Sequence, residues 1–141
     1  MWYGGTNNLG AVFRLTRDGK EKVLYSFTGG NDGANPQTDL ITDTVGNLYG
    51  TASAGGVNNC GVVFKIKPNG HETVLYTFKC RPDGFTPNGA LVMDSAGNLY
   101  GTTYGGGAPN MGTVFKSRRT GLNQSRMPSR AGAMRPIRIP A

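Results

Sequence analysis

Apolar and β-branched residues in this chain come in short runs separated by Gly, Pro, Asn and Asp. Between residues 38 and 78 four such runs follow one another: TDLITD, NLYGTAS, GVVFKI and TVLYTF. Each is short, rich in Val, Ile, Thr, Tyr or Phe, and bounded by turn formers, which is the pattern of β-strands. No stretch of this region has apolar residues at helical spacing. The connections predict antiparallel neighbours. In DTVGN and DSAGN the Asp side chain can fold back on the turn backbone while Gly supplies a positive φ. In KPNGH, Pro68 and Gly70 suit a three-residue hairpin turn. With regular pairing across that hairpin, Val62, Phe64 and Ile66 share a face with Val74 and Tyr76, and the opposite face still carries Val63 and Leu75. A sheet that is apolar on both faces must be covered on both.

The pattern recurs. GNLYGT begins at Gly46 and again at Gly97, a spacing of 51 residues. GAVFRL, GVVFKI and GTVFKS open at Gly10, Gly61 and Gly112 with the same spacing. Val23, Leu24, Tyr25 and Phe27 return as Val74, Leu75, Tyr76 and Phe78; Asp32, Gly33 and Pro36 return as Asp83, Gly84 and Pro87. A period of this length identifies a tandem array. In an array the cover for each sheet is its neighbour, so four-stranded antiparallel repeats are expected to stack face to face as β-propeller-like blades. A β-solenoid fits less well, because its coils repeat at shorter periods and need no hairpins. Gly50 and Gly101, inside strands, predict a crowded place where another backbone comes close.

The frame of the repeat divides residues 1–116 into a partial blade over 4–27 after a strand remnant around Trp2, a full blade over 38–78 and a partial blade over 89–116. A closed propeller needs about four blades or more. The expectation is therefore an incomplete propeller that is part of a longer array or covers its end sheets by self-association.

The set GNLYGT, GG, G-x-VF, VLY(S/T)F, DG, P and again GNLYGT in fixed order resembles the GloVer tandem repeat of bacterial surface proteins that have a choice of anchor. The resemblance covers about Gly4 to Lys116. It implies a long exported array held to the cell envelope by a variable carboxy-terminal anchor, and it brings no catalytic residues with it.

Charge is concentrated at one end of the chain. Fifteen Lys and Arg against eight Asp and Glu give a net charge of +7. Six of those Arg lie beyond Lys116 and no acidic residue does, so the array carries a net charge of only +1. Residues 117–141 are read as a basic, disordered tail, since Arg and Pro without apolar partners do not offset chain entropy. Ser117 stands where the repeat asks for Leu or Ile, and SRMPS where it asks for the outer strand. A slip of the coding frame shortly after Lys116 would explain both. Nucleic-acid binding would rest on this tail alone and ranks last.

Chemistry is sparse. His71, the single histidine, falls in a hairpin turn and is Lys20 in the first copy. Asp43 and Asp94 precede Gly-Asn turns and read as turn caps rather than calcium ligands. The Gly-rich runs lack the strand-to-helix setting of a phosphate loop. No metal and no cofactor are expected. The longer connections fall on one face of the stack, and sites favour long loops on a rigid scaffold. Asp32, Asn35, Asn58, Asn59, Asp83 and Tyr104 are the candidates there for a hydroxyl-rich, glycan-type ligand such as a polysaccharide. Cys60 and Cys80 flank one hairpin at a spacing that a disulfide reaches only at its short end; a bridge suits an exported protein, and two free thiols remain open. No run is long enough to span a membrane, and MWYGG lacks the features of a secretory signal. The expected function is a non-catalytic module of an extracellular or cell-surface array, structural or ligand-binding. A fragment of a propeller enzyme, lactonase-like or lyase-like, is the alternative.

Overall fold

A computed structural model describes residues 4–119 and, for the backbone alone, 125–127. Every element among them is a β-strand. The first sheet pairs β1 (Ala11–Leu15) with β2 (Glu21–Ser26). The middle sheet contains β3 (Ala34–Pro36), β4 (Ile41–Thr42), β5 (Leu48–Ala54), β6 (Val62–Ile66) and β7 (Glu72–Thr77). The third contains β8 (Gly84–Pro87), β9 (Val92–Met93), β10 (Asn98–Gly106), β11 (Thr113–Arg118) and β12 (Ser125–Met127). All pairs are antiparallel, and the second and third sheets repeat one order: a split strand, a long strand, then two more outward. The sheets are open.

The turns are as expected. Lys67 N–H bonds the His71 carbonyl at 2.9 Å, with Gly70 at φ +86°. The Asp43 carboxylate accepts from Val45 N–H and Asn47 N–H, from Asn47 Nδ2 at 2.8 Å and from the Tyr49 hydroxyl at 2.9 Å. Asp94 repeats the set with Ala96, Asn98 and Tyr100. In GNLYGT, then, Asn and Tyr clamp the Asp that caps the turn.

Two local expectations need correction. TDLITD is not one strand: β3 and β4 both pair with β5, and residues 37–40 leave the ladder between them. Pro36 has no N–H to continue the pairing, and Leu40 turns inward over Gly50, where an added Cβ would lie 2.4 Å from Leu40 Cδ2 and 2.8 Å from Phe64 Cζ. Leu91 and Phe115 crowd Gly101 in the same way, so side chains, not a backbone, make these glycines necessary. The hairpin register also shifts. Phe64 pairs with Val74, but Val63 pairs with Tyr76, leaving Leu75 as a bulge residue. The bulge moves Tyr76 from the Phe64 face to the Val63 face, beside Leu75 and Phe78. Leu24 is the bulge residue in the first sheet.

The middle sheet is covered on both faces. Val62, Phe64, Ile66 and Val74 pack with Val12, Leu24 and Phe27 of the first sheet. Tyr49, Val63, Leu75 and Phe78 pack with Leu91, Leu99 and Phe115 of the third. Phe27 meets Phe64 edge to face with centroids 5.0 Å apart, and Phe78 meets Phe115 at 5.1 Å. A shift of 51 residues turns the first pair into the second, so one interface is used twice.

β11 runs to Arg118, two residues past the array boundary at residue 116, with Ser117 buried. β12 pairs with it, Val114 opposite Met127, at the register position of the missing outer strand. Backbone pairing along a strand edge needs no apolar side chain, so a strand forms inside the segment that composition reads as disordered. The remainder of that segment, and the strand remnant around Trp2, lie outside the described residues.

Candidate functional site

The long connections do gather on one side of the stack. Gly56 N–H bonds the Gly30 carbonyl, Gly107 N–H bonds the Pro82 carbonyl, Asn35 N–H bonds Leu9 and Thr86 N–H bonds Cys60. The last two bonds cross between neighbouring repeats.

Five of the six candidate ligand residues hold these loops together. Asp32 accepts from the Tyr25 hydroxyl at 2.8 Å, Thr28 N–H at 2.8 Å and the Thr28 hydroxyl at 2.6 Å. Burial raises its carboxyl, but these bonds outweigh it and hold the group below the usual range. Asp83, 2% exposed, accepts from the Tyr76 hydroxyl at 2.5 Å and Lys79 N–H at 3.0 Å. Asn58 Nδ2 donates to the Phe78 carbonyl at 3.3 Å. Asn59 takes a left-handed backbone and accepts from Gly55 N–H at 2.9 Å; Asn8 and Asn110 do the same in the other repeats. Asn35 is likewise left-handed, and its carbonyl accepts from Ser53 Oγ. Tyr104 is different. It is 72% exposed, as are Val57 and Met111 of the loops to a similar degree.

Cys60 and Cys80 are bridged, with Cα atoms 5.5 Å apart. The bulge alters the regular pairing assumed from the turn, yet the Cα distance falls at the short end foreseen. In the first repeat Leu9 does the equivalent job: its Cδ1 lies 2.5 Å from where a Cβ on Gly29 would stand. An apolar plug and a disulfide thus close the same gap in successive repeats.

Glu72 was not visible as unusual in the sequence. It opens β7 opposite Ile66, facing the first sheet, and its Oε1 is buried without a hydrogen-bond partner. Burial, then the negative charge of Asp32, push its carboxyl up to about 7. A folded-state value above the unfolded one means this group's contribution to stability is full below about 4.5 and is lost as pH rises through about 7. The Glu72→Gln variant is therefore expected to match the parent at pH 4 and to exceed it at pH 8 by about 1 kcal/mol, allowing for partial solvent screening. Melting both proteins across that range checks it, and a difference independent of pH would contradict it.

Among the described residues no three His, Cys, Asp or Glu side chains form a group able to hold a metal ion, and no helix is long and apolar enough to cross a membrane. A family model described as the Gloeobacter/Verrucomicrobia repeat matches residues 1–129. No curated protein matches the chain.

Proposed function

Because this chain belongs to the Gloeobacter/Verrucomicrobia repeat family, we propose that it is a non-catalytic module of a longer, propeller-like array displayed outside the cell, with its loop face as the working surface. The single observation that carries this reading is the interface used twice: Phe27 with Phe64, then Phe78 with Phe115. Such a unit is extended by adding further copies of itself. The Cys60–Cys80 bridge supports an oxidising destination. On the loop face the Asp and Asn side chains secure the loops, and the exposed Tyr104 ring offers a flat apolar surface with a polar tip for stacking on a sugar.

Native gels cast with soluble polysaccharides test this. At least one polymer is expected to retard the protein, and Tyr104→Ala to abolish that retardation without changing Tm. Retardation by none, or retardation indifferent to Tyr104, would remove the glycan from the account. Asp83 and Asn58 are poor probes, because losing either would disturb the loop itself.

A further inference from the structure

In the middle and third sheets the long strand, β5 or β10, lies between two neighbours. β5 runs along β6 with Leu48 opposite Ile66, Gly50 opposite Phe64 and Ala52 opposite Val62. β1 is the counterpart of β6 one period earlier, yet among the described residues it pairs only with β2. Among the described residues its other edge is unpaired. A groove of about 290 Å³ runs there, lined by Ala11, Val12 and Phe13 of β1 and by Pro36, Thr38 and Leu40 of the middle repeat. The face of β1 differs as well: Phe64 and Ile66 are wholly buried beneath the first sheet, whereas their counterparts Phe13 and Leu15, with no sheet over them among the described residues, are 39% and 65% exposed.

We propose that the open edge of β1 is a strand-acceptor site, and that its occupant is an extended antiparallel strand of another repeat of this kind, with the pattern Leu-Tyr-Gly-Thr and its glycine opposite Phe13. Backbone pairing along the edge supplies affinity, and side-chain fit supplies selection. The fit is stringent at one position, since a Cβ on Gly50 would reach within 2.8 Å of the Phe64 ring. Any strand seated over Phe13 in the same manner needs glycine there as well. This deepens the reading of the chain as a stackable module and does not depend on any glycan.

The test adds a second copy of residues 34–51 directly ahead of Met1 in the full chain, which keeps the 51-residue register and makes the pairing intramolecular. The grafted chain is expected to melt about 5 °C or more above the parent and to slow amide exchange across Ala11–Leu15 about tenfold or more. Replacing only the grafted copy's glycine by valine is expected to cancel both effects. Unchanged exchange in the grafted chain, or equal protection with valine in the copy, would overturn the proposal. Polysaccharide retardation reads out separately, so the two ideas can fail independently.

Discussion

Phe64→Ala is expected to lower stability by about 3–5 kcal/mol, a large part of what a domain of this size has. The ring is wholly buried, packs edge to face on Phe27, and lies over Gly50, which has no side chain to fill the space left behind. Collapse around the cavity would require β5 to shift, and its backbone is held by pairing on both sides. The informative control is Phe13→Ala, the same position one repeat earlier. Phe13 is 39% exposed, and its loss is expected to cost less than about 1 kcal/mol. Denaturant unfolding of the two variants measures the contrast. Equal costs would mean that the position in the repeat, rather than cover by the adjoining sheet, sets the energy.

Gly106→Ala is the second severe change, with an expected cost of about 3 kcal/mol or more. Its φ is +103°, where a side chain adds strain on the order of 1–3 kcal/mol. The added methyl would also stand 2.0 Å from the Asp83 carbonyl oxygen and 2.7 Å from Gly84 Cα. Those atoms belong to paired backbone, since Gly106 faces Gly84 across β10 and β8, so neither can swing aside as a long side chain would. Loss of soluble monomer or a strongly reduced midpoint in denaturant is the expected readout. A melting curve like the parent's would refute the close approach of Gly106 to Asp83 and Gly84.

What was legible in the sequence was local or periodic. Asp43 and Asp94 act as turn caps because their partners, Asn47 and Asn98, lie four residues away. Face-to-face stacking followed from two apolar faces in a repeating unit. What escaped depends on partners far along the chain. The break at residues 37–40 arises because Leu40 has a destination over Gly50, which strand propensity does not encode. The bulge at Leu75 overrides the alternation read from the turn, since Leu75, Tyr76 and Phe78 are all drawn to the third sheet. Glu72 and its counterpart Glu21 look alike in sequence, but among the described residues a neighbouring sheet covers Glu72 and none covers Glu21. The Asp candidates carried a signal that pointed to structure: Tyr25 with Asp32 and Tyr76 with Asp83 keep a seven-residue spacing in both copies, and each pair is hydrogen bonded.

Adjoining repeats pack through the same aromatic interface, and a double-mutant cycle on Phe78 and Phe115 tests this. Phe78 directly follows β7 of the middle sheet and Phe115 lies in β11 of the third, with ring centroids 5.1 Å apart. A coupling energy of about 0.5–1.5 kcal/mol is expected between Phe78→Leu and Phe115→Leu, whereas strictly additive costs would show that the two rings do not share an interface.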